Sequence, residues 1–475
     1  MVDGRRIHFI GIAGAGMSAT AKLLKDGGAT ITGSDEGVYP PVSDFLRQEG
    51  IAYNTRYARG NLPRDADLII IGKNARLVPE TNEEVAAAYA SGKPILSFPE
   101  VLSELSRAKD TVVVAGSFGK STSTALLAHC LESLHGGAGA DPSYFIGAVP
   151  LTPATSARLG TGRLFVLEGD EYPSSNTDPR SKFLHYHPRH LILTPLAHDH
   201  INVFPTPADY LKPFAELVTL VPAGGDIVMC VEGPLSGALL QTIARPVVTY
   251  GVSEGEFHAA DIVWGETTHF ALMRGGDRLA TLATTQLGAH NIQNIVGVAA
   301  FLLTQNLATP DGIAAAVAGF RGIRRRLDRK SDRTRLPIFE GFGSSYDKAR
   351  SAIAAMRQHF PGRRLVVVFE PHTFSWRNRD AIGWYDDVFA GAGKVFIYEP
   401  ATQGAATHAQ ITQREIVERV RGAGFDAEPI SDAKAALAAV GDALRPDDAV
   451  LLLTSGNLGG LIETIPALAE RRWPR

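Results

Sequence analysis

A lysine set among small residues, Gly116-Ser117-Phe118-Gly119-Lys120-Ser121-Thr122, stands between a β-branched apolar run at 111–115 and a helical apolar pattern at 121–134. A strand feeding a helix through so short a loop calls for layered α/β packing, with that strand buried in a parallel sheet. Small side chains let backbone N–H groups close on a phosphate. The helix N-terminus adds positive potential, and Lys120 adds a point charge. Ser121 is placed to bind Mg²⁺ through its hydroxyl. The spacing is that of a P-loop without its usual upstream glycine. In this setting it predicts a phosphate site built from Gly116, Ser117, Gly119, Lys120, Ser121 and Thr122.

The same alternation recurs along the chain. Apolar runs at 7–11, 29–33, 68–72 and 94–98 alternate with helical patterns in a first block, 1–106. A second block, 107–328, holds the loop above, strands at 164–167, 191–193 and 226–230, a β-rich stretch at 247–287 and a helix at 291–307. A third, 329–475, has strands at 365–369, 394–398 and 449–453. At about 150 residues per domain, the length also predicts three domains. The expected fold is α/β: an N-terminal Rossmann-like domain, a central P-loop ATPase-type domain and a C-terminal Rossmann-like domain.

Composition narrows the function. Lys+Arg is 47 and Asp+Glu is 50, a formal net charge of -3. That balance argues against a nucleic-acid partner and against polybasic membrane attachment. No apolar run reaches the roughly 18 residues of a membrane span, and the polar opening residues predict no signal peptide. Cys130 and Cys230 make neither a disulfide framework nor a metal pair, which suits a reducing cytoplasm. Small-molecule substrates are expected, with the chain a monomer or a homo-oligomer.

Gly11, Gly14 and Gly16, with Asp35 after the second strand, form a G-x-x-G-x-G turn. It either holds a nucleotide diphosphate or lets a helix pack closely on its strand. A nicotinamide-dependent dehydrogenase would rest on this turn alone. Glu168, in Glu168-Gly169-Asp170-Glu171, and His200, in Asp199-His200, follow predicted strands, where open α/β sheets bind ligands. They hold a second Mg²⁺ or orient water, or they are ordinary polar loop residues. Asn291 and Asn294 share a helix face and either read a purine edge or cap the helix.

Together these motifs resemble the Mur ligase family, ATP-dependent amide-bond ligases of peptidoglycan synthesis with three α/β domains. The resemblance covers nearly the whole chain. His8-Phe9-Ile10-Gly11-Ile12-Ala13-Gly14-Ala15-Gly16-Met17-Ser18 is similar to the opening of members that bind UDP-N-acetylmuramate. Residues 116–122 match the family's central loop. Gly288, His290, Asn291 and Asn294 match its adenine motif, and Arg325-Arg326-Leu327-Asp328 its arginine motif. Within the family, residues 33–43 and 180–189 are most similar to the murein peptide ligases, which implies a recycled tripeptide as the amine; the alanine-adding ligases come next, through Glu370-Pro371-His372.

The resemblance implies ATP and Mg²⁺ as cofactors and an acyl-phosphate intermediate that an amine displaces. It implies Lys120 on the β- and γ-phosphates, Ser121 on one Mg²⁺, and Glu168 with His200 on a second. Arg326 would reach the nucleotide, and His290, Asn291 and Asn294 would hold the adenine side. Gly11, Gly14, Ala15, Gly16, Met17, Ser18, Ser34, Asp35 and Tyr39 would hold the UDP-sugar acid. Arg377, Arg379 and Asn457 are candidates for the amine substrate, with solvated surface charge the alternative for the two arginines.

Departures from the family pattern gather at the site. Phe118 stands in place of a histidine, and Pro195 and Ala197 in place of an asparagine and a glutamate. Gly341-Phe342-Gly343-Ser344 replaces D-[YF]-[AG]-H, leaving Glu340 as the neighbouring acid. The scaffold motifs persist, a pattern that points to a changed substrate or a weakened catalyst.

Overall fold

The computed structural model describes residues 3–38, 42–134, 141–200, 203–399 and 410–475. Tyr39 lies outside the described residues. The chain divides into two compact units. One is Met1–Asp261 with Phe270–Ala283 and His290–Phe320; the other is Arg321–Arg475 with Ile262–His269 and Thr284–Ala289.

The first unit opens with a five-stranded parallel sheet in the order Ala52–Asn54, Thr30–Ser34, Arg6–Ile10, Leu68–Ile71, Ile95–Leu96. Side chains alternate across it. Ile7, Phe9, Ile31 and Ile70 cluster with Leu24 and Leu46 from helices Ala15–Asp26 and Val42–Gln48. Ile10 and Ile69 cluster with Val85 and Ala88 from helix Glu83–Ala90. Apolar residues at successive positions thus mark a parallel sheet covered on both faces.

The next sheet has ten strands. Its parallel centre runs Val248–Tyr250, Ile227–Cys230, Pro188–Leu193, Asp110–Ala115, Leu164–Glu168, Ser143–Phe145. Val112, Val113 and Val114 are fully buried, each stabilising the fold by about 1.5 kcal/mol or more. The β-rich stretch extends one edge as Phe257–Val263, Thr268–Arg274 and Asp277–Thr284. Asp110–Ala115 lies between Leu164–Glu168 and Pro188–Leu193, so the strand order reverses beside it. The loops after these three strands share the rim where such sheets bind ligands.

The second unit carries a six-stranded sheet: Arg326–Arg329, Ile338–Phe342, Asp448–Thr454, Arg364–Phe369, Lys394–Tyr398, Ala427–Ile430. Only the first pair is antiparallel. Trp376 is fully buried against Phe369, with ring centroids 4.9 Å apart. Its indole Nε1 donates to Gly343 O at 2.7 Å. Ala427–Ile430 escaped sequence reading because it contains Pro429. At the sheet edge, proline's missing N–H costs no ladder bond.

Candidate active site

Strand Asp110–Ala115 ends beneath the glycine loop, and helix Lys120–Ser133 leaves it. Gly116 has φ +141° and Gly119 φ +85°, conformations that favour glycine. A Cβ on Gly116 would lie 2.2 Å from Thr194 Oγ1, and one on Gly119 2.2 Å from Asn294 Oδ1. The loop is therefore pressed between a strand end and helix Ala289–Thr304. Gly119 caps its helix without a side-chain hydrogen bond, which suits an anion at the first-turn N–H groups. Phe118 stands exposed on the loop and Thr122 is half-buried. Ser117 turns inward. Its Oγ donates to Ala197 O at 2.7 Å, accepts from Ala197 N at 2.8 Å and meets the Tyr210 hydroxyl at 2.7 Å. Its hydroxyl is held by the scaffold, and its backbone N–H donates to Pro195 O at 3.0 Å.

Glu171, whose side chain is 1% exposed, is where the charges of the site meet. Lys120 Nζ donates to its two oxygens at 2.9 and 3.2 Å and to Gly116 O at 2.5 Å. His200 Nε2 lies 3.2 Å from Glu171 Oε1, and the Tyr210 hydroxyl donates to the same oxygen at 3.4 Å. A buried carboxylate is costly unless paired, and these groups balance it. His200 has φ +56°, a strained conformation for a side chain of this size that aims its ring into the site. The Tyr172 hydroxyl meets His200 Nδ1 at 3.0 Å, with ring centroids 4.4 Å apart. The hydrogen bond to Glu171 raises the imidazole pKa above its ordinary value, against the opposing effect of burial.

Ser121 Oγ donates to Glu168 Oε1 at 2.7 Å, and Gly147 N donates to Glu168 Oε2 at 2.6 Å. A hydroxyl and a carboxylate side by side are hard oxygen donors that fit Mg²⁺, which completes its shell with water and substrate phosphates. The sequence reading set Ser121 on one Mg²⁺ and Glu168 with His200 on a second; here Ser121 meets Glu168, whereas His200 is seated on Glu171. Among the described residues, no three His, Cys, Asp or Glu side chains gather around a metal position. Sequence reasoning missed the role of Glu171, whose signal was its place in the acidic run after a strand. Tyr210 offered none, because it sits among apolar residues of helix Pro207–Thr219. Asn291 and Asn294 are buried, and Asn294 Nδ2 donates to Asn291 Oδ1 at 3.2 Å. His290 is exposed beside them.

At the N-terminal turn, Ala13 N donates to Asp35 Oδ2 at 2.7 Å and the Tyr57 hydroxyl to Asp35 Oδ1 at 2.9 Å. Gly11 has φ +87°, and a Cβ there would strike Leu77 Cδ1 at 2.7 Å. Gly14 caps helix Ala15–Asp26 without a side-chain bond. Four of the positions expected here are packed inward. A Cβ on Gly16 would come 2.9 Å from the Phe98 ring, so this glycine serves helix packing. Met17 and Ser18 are buried. Ser34 is fully buried, and its Oγ donates to Glu84 Oε1 at 2.6 Å. That carboxylate also meets His8 Nε2 at 2.8 Å, Ala58 N at 2.9 Å and Asn61 Nδ2 at 2.8 Å. These side chains form the floor of the turn.

In the second unit, Arg326 is exposed and stands opposite Gly341 across the antiparallel pair. Glu340 is buried, accepts from Lys330 Nζ at 2.7 Å and lies 3.4 Å from Arg325 Nε. A Cβ on Gly341 would meet Leu453, Leu451 and Ala352 instead. Successive strand residues point to opposite faces, so Glu340 does not replace an acid at 341. Arg377 is buried, with Nη1 3.5 Å from Gln410 Oε1, and is not solvated charge. Arg379 pairs with Glu415 at 2.8 Å on the surface. Asn457 accepts from Gly459 N at 3.1 Å as a turn cap. Each of the three amine candidates is thus engaged separately.

Residues 6–110 match the Mur ligase family catalytic domain, 114–302 the Mur ligase middle domain and 325–456 the Mur ligase glutamate ligase domain. The UDP-N-acetylmuramate–L-alanine ligase of Thiobacillus denitrificans is 32% identical over 483 residues, covering 99% of each chain. The chain belongs to the Mur ligase family. Mur ligases are ATP-dependent enzymes of peptidoglycan biosynthesis that use ATP and Mg²⁺. The three-domain α/β Mur ligase fold accounts for the sheets above. The UDP-N-acetylmuramate–L-alanine ligase of Burkholderia multivorans is 31% identical over 467 residues, 96% of each chain. Among solved structures, the UDP-N-acetylmuramate–alanine ligase of Thermotoga maritima shares the fold. Its TM-score is 0.77 at 21% identity, over 97% of this chain and 98% of that one. The UDP-N-acetylmuramate:L-alanyl-γ-D-glutamyl-meso-diaminopimelate ligase of Neisseria meningitides has TM-score 0.61 at 30% identity, over 68% of this chain and 99% of that one. Among the described residues, no helix is long and apolar enough to cross a membrane.

Proposed function

We propose that this Mur ligase joins the carboxylate of UDP-N-acetylmuramate to an amine in the cytoplasm. A carboxylate oxygen attacks the γ-phosphorus of ATP, the bond to ADP breaks, and an acyl phosphate forms. The amine nitrogen then attacks the carbonyl carbon, and phosphate leaves with the bonding pair. The observation that carries this reading is the meeting of Lys120 and His200 on buried Glu171, next to Ser121 and Glu168, on one strand rim.

In this reading Lys120 turns from Glu171 to the β- and γ-phosphates, while His200 and Tyr210 keep the carboxylate company. The N–H groups at 118–122 cradle the phosphates. Ser121 and Glu168 would hold Mg²⁺, which supplies charge neutralisation between two anionic reactants. His290, Asn291, Asn294 and Arg326 are assigned to the nucleotide. Gly11, Gly14, Ala15 and Asp35 are assigned to the UDP moiety. Residues 1–106, 107–328 and 329–475 would then bind the acid, ATP and the amine.

L-Alanine as the amine is favoured by relatives named for that reaction across 96–99% of this chain. A second reading, a peptide amine, is favoured by the 30% identity to the Neisseria meningitides ligase and by residues 180–189. Phosphate release from ATP and UDP-N-acetylmuramate, with L-alanine in one arm and the tripeptide in the other, separates them. Silence in both arms would sink the ligase reading.

A further inference from the structure

Between strands Leu164–Glu168 and Pro188–Leu193 the chain makes a loop tied across its own base. Pro173 and Ser181 form an antiparallel bridge. Arg180 O accepts from Ser174 N at 2.9 Å and from Ser174 Oγ at 2.8 Å. Ser175 Oγ accepts from Thr177 N at 3.2 Å and Asp178 N at 2.9 Å, which turns the tip. From that tip, Asn176 Nδ2 donates to Asn74 O at 2.9 Å and to Leu77 O at 3.0 Å. Both acceptors follow strand Leu68–Ile71 of the five-stranded sheet, and they share one compact unit with the loop. Lys73 Nζ donates to Pro173 O at 3.4 Å, a second tie across the same seam.

Asn74 O also accepts from Leu77 N at 2.9 Å, so the two carbonyls that Asn176 holds are the first and last of one β-turn. The turn ends on a buried side chain. Leu77 Cδ1 is the atom that a Cβ on Gly11 would strike at 2.7 Å, and a Cβ on Gly72 would stand 3.4 Å from it. Gly72 N in turn donates to Ile10 O at 2.9 Å. The amide at 176 therefore reaches the N-terminal glycine turn through one β-turn and one leucine. Its NH₂ group has a proton for each carbonyl, whereas a carboxylate of the same shape has none and would repel both. We propose that Asn176 is a positioning residue for the acid substrate: it fixes the 74–77 turn, and through Leu77 the Gly11 turn, in the arrangement that receives the UDP moiety. This rests on the ligase reading above. A turn held in place before the ligand arrives has less order to gain on binding, so the tie acts on affinity for the acid.

Calorimetric titration of the full-length protein tests this. UDP-N-acetylmuramate is titrated in the presence of Mg²⁺ and a non-hydrolysable ATP analogue, and the analogue is titrated separately. Asn176→Asp keeps the size of the side chain and loses both donors, and Asn176→Ala removes the amide. Both are expected to bind the acid about tenfold more weakly, the scale of two lost hydrogen bonds between neutral groups. Their affinity for the ATP analogue is expected to stay within about twofold of the parent. Asn176→Gln, which keeps the NH₂ group on a longer arm, is expected to bind the acid within about threefold of the parent. Parent affinity for the acid in both Asn176→Asp and Asn176→Ala, whatever their melting temperatures, makes the tie purely structural and overturns the proposal. Equal weakening toward the acid and the ATP analogue overturns it too. A parent protein that does not bind UDP-N-acetylmuramate overturns the reading of the acid substrate itself, and this proposal with it.

Discussion

Lys120 Nζ lies 2.9 Å from Glu171 Oε2, an ammonium on a buried carboxylate at the base of the phosphate loop. In the proposed reaction a triphosphate has to draw the lysine away from that partner. Lys120→Ala is expected to lower ADP release by about 1,000-fold, the scale of one lost charge stabiliser. A coupled ADP assay with both substrates reads it. Unchanged turnover would remove the loop from the mechanism.

Glu171→Gln disturbs Lys120, His200 and Tyr210 at once. Its kcat is expected to fall about 100-fold, with the KM for UDP-N-acetylmuramate unchanged, because Asp35 and Gly11 belong to another sheet. A KM effect confined to the acid substrate would contradict the assignment.

Gly119→Ala forces a side chain onto φ +85° and against Asn294. A loss of about 2 kcal/mol or more is expected, read by urea denaturation. Removing the obstacle with Asn294→Ala should recover only the steric part.

Glu84 sets a pH dependence. Burial pushes its carboxyl pKa up, but hydrogen bonds from His8, Ser34, Ala58 and Asn61 outweigh it and hold the value below the usual 4.5. The stability it adds is therefore present above pH 4.5 and lost as pH falls through the lower folded value. Glu84→Gln should flatten that acid limb and cost about 2–4 kcal/mol at neutral pH. Melting temperature against pH measures both.

Arg379→Ala removes only a surface ion pair. Melting temperature and the KM for the amine are expected to stay at parent values. Trp376→Ala opens the aromatic core and is expected to cost about 3–5 kcal/mol, read by denaturant midpoint.

The strands at 365–369 and 111–115 were legible because burial on both faces writes a continuous apolar run. The glycine loop between strand and helix was legible because glycine acts locally on the backbone. Side-chain direction was not. Ser34 and Arg377 sit beside plausible ligand positions in sequence, yet both are buried. Glu171 gains its place from partners 51 and 39 residues away, Lys120 and Tyr210, which no local pattern records. Gly16 reads as a ligand glycine, and its close packing on Phe98, contributed by a distant helix, left no local trace.

The approach of Asn294 to Gly119 joins two motifs that lie far apart in the chain into one mechanical part. Neither can move toward the other, so the spacing between the loop backbone and the helix amide is set by contact. Any gain in bulk at either position would have to be matched by a concession at the other.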